Sequence, residues 1–258
     1  MGFNNIKSFA KTSLVLVALT LTGCGLIYPD PFPVLHTVED ESVVLIHGLG
    51  RGAANMRQLK VRLQVQGYDV CNIDYRTIGK GVDSMVEETS EKIDKCILSE
   101  RKVHFVGHSL GGLVIRSYLA EHPNVVGDDS LGRVVTLGTP HHGSEVADKF
   151  DGGVLIEVAG GVSQSLVTGD RSLGNQLPPP TYTLGAIAGT SSNFTTDRYF
   201  DGVNDGLVSL ESSQISGMQD FIALDVTHID MPYDPDVAYQ TMHFLQTGQF
   251  DHLNNRAY

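Results

Sequence analysis

The sequence predicts an α/β fold: a mostly parallel sheet of about six strands with helices on both faces. Three observations predict it. Short apolar runs at 42–46, 70–75, 103–106, 134–137, 181–188 and 221–226 read as strands covered on both sides. Stretches with helical apolar spacing separate the early runs, which requires crossover connections and parallel pairing. Glycine-rich or polar turns follow the runs, at the carboxyl rim where such sheets bind ligands.

Each element has its own signal. Ser42 to Ile46 is a buried strand ending in His47-Gly48-Leu49-Gly50, and Met56, Leu59 and Leu63 then mark an amphipathic helix that stops at Gly67. Val70 to Tyr75 is the second strand. Ser84-x-x-Glu87 offers a capping box, and Val86, Ile93 and Ile97 supply the next helix's buried stripe. The charged loop Glu100-Arg101-Lys102 leads into the third strand, which runs into Gly107-His108-Ser109-Leu110-Gly111-Gly112. Leu113, Val114, Tyr118 and Leu119 continue as a helix until His122-Pro123 stops it. Val134 to Leu137 is the fourth strand, leaving through Gly138-Thr139-Pro140-His141-His142-Gly143-Ser144. Residues 144–180 read as irregular and glycine-rich, closed by Pro178-Pro179-Pro180. Thr181 to Ala188 and Phe221 to Val226 are the fifth and sixth strands, and a helix from about Pro235 to Gln246 covers the sheet.

The N-terminus reads differently. Lys7 and Lys11, the apolar run Ser13 to Leu21, and Leu21-Thr22-Gly23-Cys24 have the order of a signal peptide at 1–23. The run is too short for a membrane span. Leu-Thr-Gly-Cys resembles the bacterial lipoprotein cleavage motif, which implies acylation of Cys24, and Gly25 after it implies the outer membrane. Residues 24–41, with Pro29, Pro31 and Pro33, read as a lipid-anchored tether ahead of one domain at 42–258. Loss of residues 1–23 removes two lysines and no acids, moving the formal charge from −12 to −14. So acidic a surface argues against a nucleic-acid partner. Cys71 on a strand and Cys96 late in the next helix can bridge in an exported protein, or remain two buried thiols.

Ser109 carries the chemistry. A serine on a strand-turn-helix elbow stands clear of the backbone, where its hydroxyl can attack an ester or amide carbonyl. Gly107 and Gly111 relieve the turn, and Gly112 lets the helix approach the sheet. The pattern by itself is generic in a chain with 28 glycines, so its placement after a buried strand is what matters. A serine hydroxyl needs a histidine to accept its proton and a carboxylate to fix the tautomer. Of ten histidines, His228 lies in a loop just after the sixth strand, where it can swing over Ser109. His243 falls inside the last helix, His252 in a polar tail, and His141 and His142 come early, though one of them can line the site. For the acid, Asp205 in Asn204-Asp205-Gly206-Leu207-Val208 is preferred because Leu207-Val208 would anchor its loop. Asp201, Asp197 and Asp225 are its rivals. Backbone N–H groups of Leu49 and Leu110 are the expected oxyanion donors, with His47 as a post that holds the first of those loops. These groups call for no cofactor and no metal.

Taken together, Val43 to Gly50, Gly107 to Gly112, Leu137 to Ser144 and Asn204 to Val208 resemble the α/β-hydrolase superfamily, and within it the bacterial lipase and PGAP1-like esterase branch. The resemblance covers about 42–247 and implies Ser109 as nucleophile, Asp205 as acid, His228 as base and Leu49 and Leu110 as oxyanion donors. It further implies an ester or acyl-lipid substrate met at the cell envelope through the Cys24 anchor. The short insertion at 144–180, unlike that of the larger secreted lipases, counts against an interfacial lid. Two other readings use the same residues: an acyltransferase sharing the acyl-enzyme, and a non-catalytic envelope lipoprotein that binds a lipid or protein.

Overall fold

The computed structural model describes residues 38, 40–97, 101–151, 160–192 and 195–253; all but a few residues of the expected signal peptide and tether, Cys24 included, lie outside them. The strands are β1 (Glu41–Ile46), β2 (Asp69–Ile73), β3 (Lys102–His108), β4 (Leu131–Leu137), β5 (Leu184–Gly189) and β6 (Asp220–Leu224). They form one sheet of order β2-β1-β3-β4-β5-β6, and every adjacent pair is parallel. Helices α1 (Arg57–Val65), α2 (Val82–Cys96), α3 (Leu110–Glu121) and the short α4 (Pro123–Val126) precede β4, and α5 (Glu145–Phe150), α6 (Gly161–Gln164) and α7 (Leu173–Gln176) lie between β4 and β5. The closing helix is α8 (Pro235–Thr247). This is the α/β-hydrolase fold.

Strand alternation sorts the core into two layers. Val43 and Leu45 point to a cluster with Met56, with Leu59 and Leu63 of α1, and with Phe244 of α8. Val44 and Ile46 point to the opposite cluster, with Ile93 of α2 and Leu113 and Tyr118 of α3. Both strand faces are therefore buried, which is why β1 reads as an unbroken apolar run. Helix α8 is well terminated: the Asp234 carboxylate accepts from the N–H groups of Asp236 (2.8 Å) and Val237 (2.9 Å), Pro235 opens the first turn, and Gly248 closes it at φ 82°.

Some boundaries differ from the sequence reading. Strand β2 ends at Ile73 rather than Tyr75, because its last partner is Ile46 and Tyr75 instead turns its hydroxyl onto the His47 carbonyl at 2.7 Å. Helix α2 starts at Val82, so Ser84 lies within its first turn and the Ser84–Glu87 box does not cap it; Gly81 is the cap and has no side chain to accept from the first-turn N–H groups. The earlier start packs Val82 against the core. Segment 144–180 is less irregular than expected, since it holds α5 to α7. Ser144 initiates α5 by accepting from the Ala147 N–H at 3.3 Å. Cys71 and Cys96 form a disulfide across 25 residues, joining β2 to the end of α2. By loop entropy a bridge of that span is worth about 3.5 kcal/mol.

Candidate active site

Every parallel strand delivers its carboxyl end to one rim, and Ser109 sits there at φ 56°, ψ −125°. Apart from Ser109, only Asp40 among the described non-glycine residues has a positive φ. Such a backbone is costly for a residue with a Cβ and persists only when its surroundings enforce it. They do so on three sides. The Ser109 N–H donates to the Leu137 carbonyl at 2.8 Å, and its own carbonyl accepts from the Gly112 N–H and the Thr139 hydroxyl, each at 3.0 Å. No side chain fits under the turn: a Cβ on Gly111 would lie 2.2 Å from the Ile46 carbonyl oxygen, and one on Gly112 would lie 2.1 Å from Thr139 Oγ1.

His228 and Asp205 come together as expected. His228 Nδ1 lies 2.7 Å from Asp205 Oδ2, with both side chains buried. The carboxylate directs the ring proton to Nδ1, which leaves Nε2 as the ring's acceptor. The other carboxylate oxygen, Oδ1, accepts from the N–H groups of Leu207 (3.0 Å) and Val208 (2.8 Å). The Leu207-Val208 pair thus anchors the loop, but through its amides as well as its side chains. The His228 N–H closes the ring by donating to the Asp205 carbonyl at 2.9 Å.

The rival acids are engaged elsewhere. Asp197 accepts from Asn204 and Ser192, Asp225 from Ser191, and Asp201 is exposed on its turn. Neither early histidine lines the pocket. His141 is fully buried between Arg116 and Thr136, where burial drives its pKa well down, and His142 faces solvent beside Asn175. His243 and His252 bind the Gln249 carbonyl and Asp220, away from the rim.

Ser109 and His228 line one cavity of about 230 Å³ with Gly48 and Leu49. Gly48 is pressed against the serine, since a Cβ there would lie 2.9 Å from the Ser109 Cβ. His47 acts as the expected post. Its Nδ1–H donates to the Gly48 carbonyl at 2.9 Å, its Nε2 accepts from the Tyr75 N–H at 3.4 Å, and burial keeps it neutral by lowering its pKa. Because a trans peptide points its N–H opposite to its C=O, anchoring the Gly48 carbonyl aims the Leu49 N–H the other way. Val146 and Phe150 of α5, Leu166, Leu207 and Ile229 make most of the remaining wall apolar, with Arg51, Asn55, Ser144 and Ser163 among its polar members.

Three supporting residues were missed at the sequence level. Gly138, at φ 54°, lies beneath the Asp205–His228 pair, and a Cβ there would be 2.9 Å from Asp205 Oδ2 and 3.0 Å from His228 Nδ1. Gly189 admits the Asp205 side chain in the same way, at 2.8 Å from its Cβ. His108 donates from Nε2 to the His228 carbonyl at 2.9 Å, and burial pushes its pKa down to about 3, so it holds that loop as a neutral ring. A glycine directly after a strand was the available signal for the first two; nothing local marks His108.

Comparison with known proteins agrees with this architecture. The family model described as alpha/beta hydrolase fold matches residues 41–161. A triacylglycerol lipase of Vibrio cholerae is 30% identical over 149 residues, covering 54% of this chain and 46% of that lipase. Lipase 1 of Staphylococcus aureus is 25% identical over 179 residues, covering 49% of this chain and 26% of that protein. The chain thus spans less than half the length of these curated relatives. Among solved structures, the mature Bacillus licheniformis lipase BlEst2 superposes with a TM-score of 0.66 at 23% identity, over 84% of this chain and 96% of that one. The comparisons and the strand topology together show the α/β-hydrolase fold.

Proposed function

We propose that this chain is a serine hydrolase of carboxylic esters, of esterase or lipase type, in the bacterial lipase and PGAP1-like esterase branch. The observation that carries the reading is the buried His228–Asp205 pair facing a cavity shared with a serine held at positive φ. In this mechanism His228 Nε2 takes the Ser109 proton as Oγ attacks the ester carbonyl. The N–H groups of Leu49 and Leu110 donate to the oxyanion that forms, each worth about 10²–10³ in rate. His228 then protonates the leaving alcohol, and a water activated by the same nitrogen releases the acid from the acyl-enzyme.

The relatives' names support an ester substrate, and the apolar walls support an acyl chain inside the cavity. At about 230 Å³ the cavity is below the roughly 300 Å³ of the smaller ligand sites, which favours short acyl groups. We further read residues 1–23 as a lipoprotein signal and Cys24 as the acylated anchor of an envelope enzyme; the Cys71–Cys96 disulfide suits that oxidising location.

Ser109→Ala should abolish turnover of short acyl esters and labelling by a fluorophosphonate probe, with the circular dichroism spectrum and Tm of the parent. Turnover that persists in this variant would refute the assignment. A folded wild-type protein that neither labels nor hydrolyses any ester would point to the binding-protein reading.

A further inference from the structure

The oxyanion loop continues past Leu49 into Gly50-Arg51-Gly52, and Arg51 lies where two depressions meet. One is the apolar cavity of Ser109. The other is a polar groove lined by Arg51, Arg76, Lys92, Asp74 and Glu88 among others. The loop is pinned on both sides of Arg51, because the Gly50 N–H donates to Thr77 Oγ1 and the Ala53 N–H to Asp74 Oδ1, each at 2.9 Å.

Within the groove the charges divide unequally. Glu88 is engaged by Lys80 and by Lys92, the latter at 2.8 Å, and Lys92 also donates to the Asp74 carbonyl at 2.8 Å. Asp74 in turn holds the Ala53 N–H and lies 3.5 Å from His47 Nε2. Arg51 and Arg76 are exposed and form no ion pair with any described residue. Two guanidiniums without a described ion-pair partner, Arg51 on the wall of the Ser109 cavity and Arg76 in the groove that adjoins it, stand out on a chain of formal charge −12, whose general field repels anions.

An ester bound at Ser109 has two halves. If the acyl half fills the apolar cavity, the alcohol half leaves past the mouth that Arg51 borders. We propose that Arg51 and Arg76 form a subsite for a phosphate on the alcohol half, so that the preferred substrates are acyl esters of phosphorylated alcohols. Guanidinium forks match phosphate oxygens in charge and in bidentate geometry, and a pair of them suits a dianion. The bond broken is still the acyl C–O bond, water supplies the hydroxyl of the released acid, and the phosphate is untouched. This inference rests on the ester-hydrolase reading above.

The test uses a matched pair, 1-octanoylglycerol and 1-octanoylglycerol 3-phosphate, below their aggregation limits and at low ionic strength. Wild type should show kcat/KM about tenfold higher for the phosphorylated ester, mainly through KM. The ratio should fall toward one in Arg51→Gln/Arg76→Gln, and also as salt is raised. A wild-type ratio near one, or a ratio unchanged in the double variant, overturns the subsite. Calorimetry on Ser109→Ala separates the two readings. Tighter binding of the phosphorylated ester there, lost on adding the two arginine substitutions, supports the subsite even if wild type hydrolyses nothing, in which case only the hydrolase reading falls. Turnover of both esters without discrimination overturns the subsite alone.

Discussion

At the scale of single residues, the proposed role of Asp205 rests on what its two carboxylate oxygens do. Asp205 Oδ1 is committed to the Leu207 and Val208 amides, so Oδ2 is the oxygen left for His228. Asp205→Asn keeps the first contact, since an amide oxygen accepts equally well, but turns an NH₂ toward His228 Nδ1. The ring must then accept at Nδ1 and carry its proton on Nε2, where it cannot take one from Ser109. Ester turnover should fall about 10⁴-fold with little change in Tm; steady-state kinetics beside a thermal melt will check both. That Asp205 outranks Asp197, Asp201 and Asp225 was only partly legible. Asp205, Asp197 and Asp201 sit in polar, turn-rich segments and Asp225 at the end of the expected sixth strand, and sequence offers no measure of which carboxylate faces inward. The choice was decided by burial, which depends on residues far along the chain such as Gly138 and Gly189.

At the scale of elements, the elbow is the junction of β3 and α3 under β1, and its glycines are spacing devices. Gly111 is where the helix touches the strand backbone, so Gly111→Ala would drive a Cβ into the Ile46 carbonyl at 2.2 Å and force the two elements apart. We expect a loss of about 2–3 kcal/mol or more, seen as a lowered urea midpoint. Gly202, with nothing within 4 Å, is the control: Gly202→Ala should stay within about 0.5 kcal/mol of the parent. Strand and helix identities were legible because short unbroken apolar runs mark strands covered on both faces and a 3.6-residue apolar spacing marks the helices between them. Boundaries were less so, since a strand ends where its neighbour ends, as Ile73 does opposite Ile46. The short helices α5 to α7 escaped because four to six residues carry too little periodicity to read.

At the scale of the whole molecule, burial of histidines sets the response to acid. His47, His104, His108 and His141 all have pKa values lowered below 6.5, chiefly by desolvation. The folded state therefore binds fewer protons than the unfolded chain, whose histidines titrate near 6.5. This stability is fully present above that pH and drains away as pH falls below it. Glu41, held below 4.5 by its bond to His104, adds a loss in the same direction at still lower pH. For the two rings shifted furthest down, His108 and His141, the drop from pH 7.5 to 5.5 should cost about 2–3 kcal/mol together. Urea titrations at the two pH values will measure it; equal midpoints would contradict the neutral-ring assignment.

The amino-acid sequence by itself determined the layered α/β architecture, the order of the chemical motifs along the chain, and Ser109, Asp205 and His228 as the residues to examine. It could do so because periodicity and turn chemistry are local properties. Only the tertiary structure decided how those residues are supported: which carboxylate meets His228, the glycines that make room for the pair, the joining of Cys71 to Cys96, and the meeting of the Ser109 cavity with an arginine-lined groove. These depend on contacts between segments tens of residues apart, where packing and burial act and no local pattern is left to read.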